Sequence, residues 1–218
     1  MTVQKILTID DDKNLKLLRT RSEPVKRIDK KIKDLVQDIF DTIEANPAIG
    51  LAAPQIGVLK RMFGLKLSEN SGEEAEGAEE KTLPPMIMIN PEILEQSEDM
   101  ERGYDACLSI PGKMGYTDRH VRLKVRYQDE TGRKITREFE GWNARVIQHE
   151  LDHLDGILFI DRLKSYEDLY VYVKDKEGKT QAVPYLQVIE NATKSVDQIK
   201  PEIASRSAKE NSLKSTQS

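Results

Sequence analysis

The nine residues from Gln148 to Gly156, QHELDHLDG, constrain the fold of this chain more than any other stretch. They contain two of its three histidines, His149 and His153, with Glu150 between them. Residues four apart lie on the same face of a helix, so a helix here would place both imidazoles one turn apart. Apolar residues cover the remaining faces of this segment, which predicts a central, buried helix that starts near Trp142 and stops at Asp155-Gly156.

A helix with this His-Glu-x-x-His spacing can hold a divalent metal and place a carboxylate beside it, as metallohydrolases do. Such a metal typically takes a third protein ligand. His120, the remaining histidine, lies in a charged, strand-like segment, and we expect it at the surface. Cys107, the single cysteine, lies between a polar turn and the Pro111-Gly112 break, where it could reach the helix. A small thiol buried in the core is the alternative reading of this residue.

Composition excludes several classes of protein. The net charge of −4 and the pI of about 5.6 do not support a DNA-binding surface. No apolar run approaches the roughly 20 residues of a membrane span, and the N-terminus lacks the apolar core of a signal peptide. One cysteine fits a reducing compartment. We therefore expect a cytoplasmic protein, with an organellar protein that has lost its transit peptide as the alternative.

The pattern of apolar residues predicts an α+β fold. An amphipathic helix opens at Pro24, carries apolar residues at three- and four-residue spacing as far as Ile43, and ends at Asn46-Pro47. Antiparallel strands are predicted at 86–89, at 121–128 with a partner through 135–139, and at 169–173 with a partner at 181–188. We expect residues 1–193 to form one domain, interrupted by an acidic, flexible loop at 68–81, and residues 194–218 to be a disordered tail.

Three motifs together resemble a known family. Gly50-Leu51-Ala52-Ala53-Pro54-Gln55, Cys107-Leu108-Ser109 and Gln148-His149-Glu150-Leu151-Asp152-His153 occur in the order and approximate spacing of the peptide deformylase motifs. Enzymes of that family remove the formyl group from the N-terminal formyl-methionine of new bacterial and organellar proteins. The resemblance covers roughly Ile6 to Leu163. It implies antiparallel sheets packed around the metal-binding helix, with the amphipathic helix outside them.

The resemblance also implies a role for each matching residue. Cys107, His149 and His153 would be the metal ligands, and Glu150 the general base. The oxyanion would be stabilised by the Gln55 side chain and the Leu108 backbone N–H, and the substrate would lie against Ile49 and Gly50. An Asp105–Arg119 ion pair is implied behind the site, and Asp152 and Gln148 could orient the ligand histidines.

One divalent metal ion follows from this reading. The resemblance implies Fe²⁺ as the working ion, while a thiolate with two imidazoles would also suit Zn²⁺, Co²⁺ or Ni²⁺. The implied partners are N-formyl-methionyl nascent peptides, which are met at the ribosome and so suggest a transient association with it. No membrane contact is implied.

Three positions depart from the family pattern: Ala48 and Ala106 replace glycines, and Asp105 replaces a glutamate. Alanine would be strained at either position if the backbone there has positive φ. A homologue that binds metal or peptide with little or no turnover is therefore the main alternative function. A zinc endopeptidase using the same helix is less well supported, because no histidine follows His153 to serve as its downstream ligand.

Overall fold

The computed structural model describes residues 2–68, 83–175 and 177–191. Three α-helices and nine β-strands lie within these ranges, and residues 185–191 are also helical. In chain order they are α1 (Asp12–Leu18), α2 (Lys30–Glu44), β1 (Gly50–Ala52), β2 (Met62–Leu65), β3 (Met86–Gln96), β4 (Met100–Ala106), β5 (Lys113–His120), β6 (Arg122–Gln128), β7 (Lys134–Glu140), α3 (Gly141–Leu154), β8 (Leu169–Lys174) and β9 (Thr180–Pro184). Short 3₁₀ turns occupy Ala53–Ile56, Phe159–Arg162 and Tyr166–Asp168.

The strands form two antiparallel sheets, which confirms the predicted mixed α and β class. One sheet has five strands in the order β1-β2-β3-β6-β7, and the other has four in the order β4-β5-β8-β9. The predicted hairpin of β6 and β7 pairs Leu123 with Phe139 and Tyr127 with Ile135. Strand β1 lies at an edge of the five-stranded sheet, and β4 at an edge of the four-stranded sheet.

Both faces of the five-stranded sheet are buried at β1, β2 and the first half of β3, whereas β6 and β7 bury only one face. On one face, alternate residues such as Met62 and Ile89 pack with Ile39 and Ile43 of α2. On the other face, residues such as Phe63, Met88 and Val125 pack with Ala144, Ile147 and Leu151 of α3. The sheet therefore separates the two long helices, α2 and α3.

The amphipathic helix begins at Lys30, so the prediction that it opens at Pro24 was wrong. The Asn90 side chain accepts from the N–H of Val25 and donates to its carbonyl, both at 2.8 Å, and holds that residue extended. Asp29 then caps α2 by accepting from the Ile32 N–H at 3.2 Å. A partner distant in sequence thus displaced the helix start, although Val25 and Ile28 still pack with the helix as the periodicity predicts.

Helix α3 follows β7 without a loop and ends where the sequence predicts. Gly156 has φ of 73°, and a Cβ there would overlap the carbonyl oxygen of Arg19. Only glycine suits both conditions. The helix is buried along almost its whole length, including both histidines and Glu150.

The last hairpin is shorter than predicted. Strand β9 ends at Pro184, and residues 185–191 are helical, so the predicted strand over 181–188 was wrong in its second half. Proline has no N–H to extend the ladder, and Tyr185 packs into the cluster that contains Leu18 and Phe159. Apart from Ser68, the predicted acidic loop at 68–81 lies outside the described residues, as does the predicted tail at 194–218. Among the helices that the structure describes, none is long and apolar enough to cross a bilayer.

Candidate active site

The structure brings Cys107, His149 and His153 together. Cys107 follows the end of β4, and the two histidines lie one turn apart on α3 with ring centroids 5.0 Å apart. One donor atom from each of the three residues lies within 4.8 Å of the other two. The Cys107 Sγ is 3.2 Å from His153 Nε2. Two imidazoles and a thiol at this separation form a donor set that suits a divalent transition metal.

The surroundings of Cys107 favour its thiolate. Burial alone would raise the pKa of the thiol, but the charge of His153 and hydrogen bonds from both histidines lower this pKa well below its ordinary value. The thiolate is the form that ligates metals. Cys107 therefore offers an anionic sulfur to a cation.

Glu150 lies next to this cluster with its carboxyl group buried. Burial raises the pKa of Glu150 above its ordinary value, and its Oε2 has no hydrogen-bond partner within the described residues. A Cβ on Gly50 of β1 would lie 2.5 Å from Glu150 Oε1, so the glycine leaves the space that the carboxylate fills. A buried carboxylate oxygen without a partner is costly unless a ligand or water completes it.

Two hydrogen-bond donors line the opposite side of the cluster. The Gln55 side chain is fixed by accepting from the Ala52 N–H at 2.8 Å, and its Nε2 lies 3.5 Å from Cys107 Sγ. Leu108 follows the cysteine and lines the same pocket. Within the described part of the chain, no carbonyl accepts from the Leu108 N–H. Both donors are thus held where a substrate oxygen could reach them.

The N-terminal segment joins the loops that carry these donors. The Leu7 N–H donates to the Gln55 carbonyl at 2.8 Å, and the Ile9 N–H donates to the Ser109 carbonyl at 3.0 Å. Gln55 follows β1 of the five-stranded sheet, whereas Ser109 follows β4 of the four-stranded sheet. One short extended segment therefore ties the two sides of the site together.

These residues open into a pocket of about 470 Å³. Ile49 and Gly50 line one side of it, at the edge strand β1, and Ile49 is 41 % exposed. Tyr104 and Trp142, whose ring centroids are 5.1 Å apart, line another side. The residues predicted as metal ligands, general base, oxyanion donors and substrate contacts thus all lie in or beside one pocket.

The comparisons with known proteins decide the family. The family model for polypeptide deformylase matches residues 3–168. The chain belongs to the polypeptide deformylase family. Peptide deformylase from Roseiflexus castenholzii is 37 % identical over 183 residues, which is 83 % of this chain and 99 % of that protein. Peptide deformylase from Leptospira biflexa is 39 % identical over 178 residues, covering 80 % and 95 % respectively.

Solved deformylase structures share the fold. The crystal structure of peptide deformylase from Ehrlichia chaffeensis matches with a TM-score of 0.67 at 36 % identity, covering 77 % of this chain and 91 % of that chain. The structure of the Ehrlichia chaffeensis enzyme in complex with actinonin matches with a TM-score of 0.66 at 38 % identity, covering 77 % and 92 %.

The departures from the deformylase pattern leave the backbone unstrained. Among the described residues, Asn90 is the only one other than glycine with positive φ, so Ala48 and Ala106 need no unusual conformation. Asp105 still forms the implied pair, since its Oδ2 lies 2.7 Å from the Arg119 guanidinium and accepts from Thr117 Oγ1 at the same distance. Its Oδ1 lies 3.7 Å from His149 Nδ1. The shorter acid therefore still reaches both Arg119 and His149.

Behind the site of this deformylase, charges alternate from the interior to the surface. Arg119 bridges Asp105 and Asp152, and its Nη1 lies 3.0 Å from the Asp152 Oδ2. Arg162 closes the row with two contacts to the Asp152 carboxylate, at 2.5 and 3.2 Å. The Asp152 carboxylate therefore contacts two arginines and does not orient a histidine of the donor cluster.

Two other residues lie away from the site. Gln148 bonds the backbone N–H and carbonyl of His120, at 3.0 and 2.9 Å, and does not orient a ligand histidine. The His120 Nδ1 lies 2.6 Å from the Ser97 carbonyl oxygen. This histidine is half-buried and takes no part in the donor cluster.

Sequence reasoning missed Arg145 and Tyr172, which both line the deformylase pocket. Arg145 is buried, and its guanidinium donates to the carbonyls of Glu101, Gly103 and Thr117. A Cβ on Gly103 would lie 2.8 Å from the Arg145 Cζ, so that glycine makes room for the arginine. An arginine one turn before His149, in a helix predicted to be buried, was the available signal. Tyr172 gave no signal, because it lies beyond the three motifs.

Proposed function

We propose that this chain is a metal-dependent peptide deformylase that removes the formyl group from the N-terminal formyl-methionine of newly synthesised polypeptides. The observation that carries the proposal is the convergence of the Cys107, His149 and His153 donors, within 4.8 Å of one another, with the buried Glu150 carboxylate in one pocket. Membership of the deformylase family supports the same reaction.

Cys107, His149 and His153 would hold one divalent ion, with Fe²⁺ as the working ion and Zn²⁺, Ni²⁺ or Co²⁺ as ions that the same donors accept. Such an ion supplies a Lewis acid that lowers the pKa of water and polarises a carbonyl group. The residues fit an ion because a favoured thiolate and a buried, unpartnered carboxylate oxygen lie side by side.

Glu150 would act as the general base. It accepts a proton from the attacking water and passes it to the amine nitrogen of methionine as the bond from formyl carbon to nitrogen breaks. Its raised pKa suits both steps, because a carboxyl group with an ordinary pKa gives up a proton readily but holds one poorly near neutral pH. The products are formate and a free N-terminal methionine.

The Gln55 amide and the Leu108 N–H would stabilise the negative charge that develops on the formyl oxygen. Both are held before substrate arrives, Gln55 by Ala52 and the loop of Leu108 by the Ile9–Ser109 hydrogen bond. A donor fixed in advance contributes about 3 kcal/mol to transition-state stabilisation.

The substrate backbone would lie along the free edge of β1, against Ile49 and Gly50. An edge strand offers unpaired N–H and carbonyl groups to an extended peptide. We infer that residues 1–193 make up the deformylase domain, that the protein works in the bacterial cytoplasm, and that its association with the ribosome is transient.

Replacing Glu150 with glutamine tests the proposal. The variant should retain one metal ion per chain and lose about 10²- to 10⁴-fold in kcat for a formyl-methionyl peptide, because the amide cannot accept the proton. Metal is measured by elemental analysis and formate release by a coupled assay, both under anaerobic conditions. The matched control is Glu140→Gln, an exposed residue at the start of α3.

Near-normal turnover by Glu150→Gln would show that Glu150 is not the general base. A wild-type protein that binds metal and formylated peptide but never releases formate would instead be the non-catalytic homologue.

A further inference from the structure

The pocket continues beyond the residues assigned to the formyl-methionine. At its outer rim lie Lys113 at the start of β5 and Tyr172 in β8, together with Tyr104. A nascent polypeptide continues after its first residue, and this exposed rim offers side chains to the part of the chain that leaves the site.

Tyr172 is supplied by the part of the chain that follows the family match, which ends at residue 168. Its backbone N–H donates to the Gly112 carbonyl at 2.9 Å, and its hydroxyl lies 3.2 Å from the Met114 Sδ. The side chain is nevertheless 45 % exposed. A ring that is fixed by its neighbours but open on one face is suited to pack against a peptide at a small entropic cost.

Lys113 is the charged group that this rim offers to a ligand. The other charged residues that line the pocket, Asp105, Arg145, His149 and Glu150, are all buried. Lys113 is half-exposed and makes no ion pair in the described parts of the chain. Lys66 and Lys124, by contrast, each lie within 3.0 Å of a glutamate. An unpaired cation beside a binding cleft attracts acidic groups.

We propose that Lys113 and Tyr172 form an outer subsite for the two residues that follow the formyl-methionine, and that Lys113 favours substrates with an acidic side chain there. The inference rests on the proposed deformylase function, since it assigns the substrate preference of that same pocket.

The effect should be modest and sensitive to salt. Lys113 is partly exposed, and exposed pairs are weak and screened over about 8–10 Å at ordinary ionic strength. Replacing an attracted glutamate with a repelled lysine in the peptide should change kcat/KM by about five-fold at low salt. The difference should shrink towards unity in 1 M NaCl.

The experiment uses the metal-loaded full chain and two peptide sets. The first set is formyl-Met-X-Ser-Ala and formyl-Met-Ala-X-Ala with X as Glu, Gln or Lys. The second compares formyl-Met-Ala with formyl-Met-Ala-Ser-Ala. The variants are Lys113→Gln and Tyr172→Ala. Their matched controls are Lys174→Gln and Tyr166→Ala, which alter exposed residues of the same region that do not line the pocket.

In the wild type and both controls, kcat/KM should fall in the order Glu, Gln, Lys in at least one of the two positions. Lys113→Gln should remove this order. In calorimetry, the deformylated product Met-Ala-Glu should bind to Lys113→Gln more weakly than to the wild type. Tyr172→Ala should raise KM for the four-residue peptide about five-fold more than KM for formyl-Met-Ala, with little change in kcat.

An order that survives in Lys113→Gln, or equal KM changes for long and short peptides in Tyr172→Ala, would overturn the subsite. Absence of formate from every peptide, including formyl-Met-Ala with the wild type, would instead overturn the proposed function. The two failures are therefore distinguishable.

Discussion

Gly50→Ala should slow catalysis strongly while leaving the donor cluster intact. The added methyl group would lie 2.5 Å from Glu150 Oε1, 2.9 Å from Cδ and 3.0 Å from Cγ. An ordinary contact of this kind begins near 3.4 Å, so the carboxylate has to move by roughly 0.9 Å. Glu150 is buried on α3, and its side chain therefore turns away from the space in which water and substrate meet.

A displacement of about 1 Å at a reacting group can reduce the rate about 10²-fold, and we expect a loss of that size in kcat. Cys107, His149 and His153 are not among the atoms nearest the new methyl group, so the metal content should stay at one ion per chain. Formate release measured together with elemental analysis separates these two effects.

Gly64→Ala is the matched control. Gly64 pairs with Leu51 in the neighbouring strand, but a Cβ there would meet Ile39 of α2 at 2.6 Å, on the other face of the sheet. That variant should lose stability in a melting experiment and keep its kcat per folded molecule. The reasoning is refuted if Gly50→Ala, fully loaded with metal, turns over within two-fold of the wild type.

Two further predictions concern stability. Arg119→Met leaves the buried Asp105 and Asp152 without the cation between them. Urea denaturation should therefore show a free energy of unfolding lower by about 3–5 kcal/mol. An unchanged denaturation midpoint would contradict the role of Arg119. Hydrogen bonds from Thr131 hold the pKa of Asp129 below its ordinary value. A lowered folded-state pKa contributes stability above the unfolded pKa of about 3.9 that is lost as pH falls through the folded value. The difference in free energy of unfolding between wild type and Asp129→Asn should therefore disappear between pH 5 and pH 2. A difference that does not depend on pH would contradict this assignment.

The elements that the sequence predicted well are those whose signals are local. The end of α3 at Gly156 depends on a positive φ, and the pairing of β6 with β7 depends on alternation around a short turn. The His149 and His153 spacing likewise places both rings on one face by helical geometry alone. Each of these could be read from a few consecutive residues.

The features that escaped prediction depend on distant partners. The start of α2 moved because Asn90, 65 residues away, bonds to Val25. Arg145 is buried on α3 because carbonyls of β4 and β5 accept from its guanidinium and Gly103 makes room. Tyr172 reaches the pocket only because β8 pairs with β5. Tertiary contacts of this kind override local propensity and cannot be read from spacing.

The hydrogen bonds of Leu7 and Ile9 have a consequence for local opening of the native protein. They close intervals of about 50 and 100 residues, and such long-range contacts form late because loop closure must precede them. Release of this short segment would remove the two backbone hydrogen bonds that brace the Gln55 and Ser109 loops while both sheets stay paired. The protein can thus loosen the loops of its oxyanion donors through a local opening well below the free energy of global unfolding, and amide hydrogen exchange at Leu7 and Ile9 would report that opening directly.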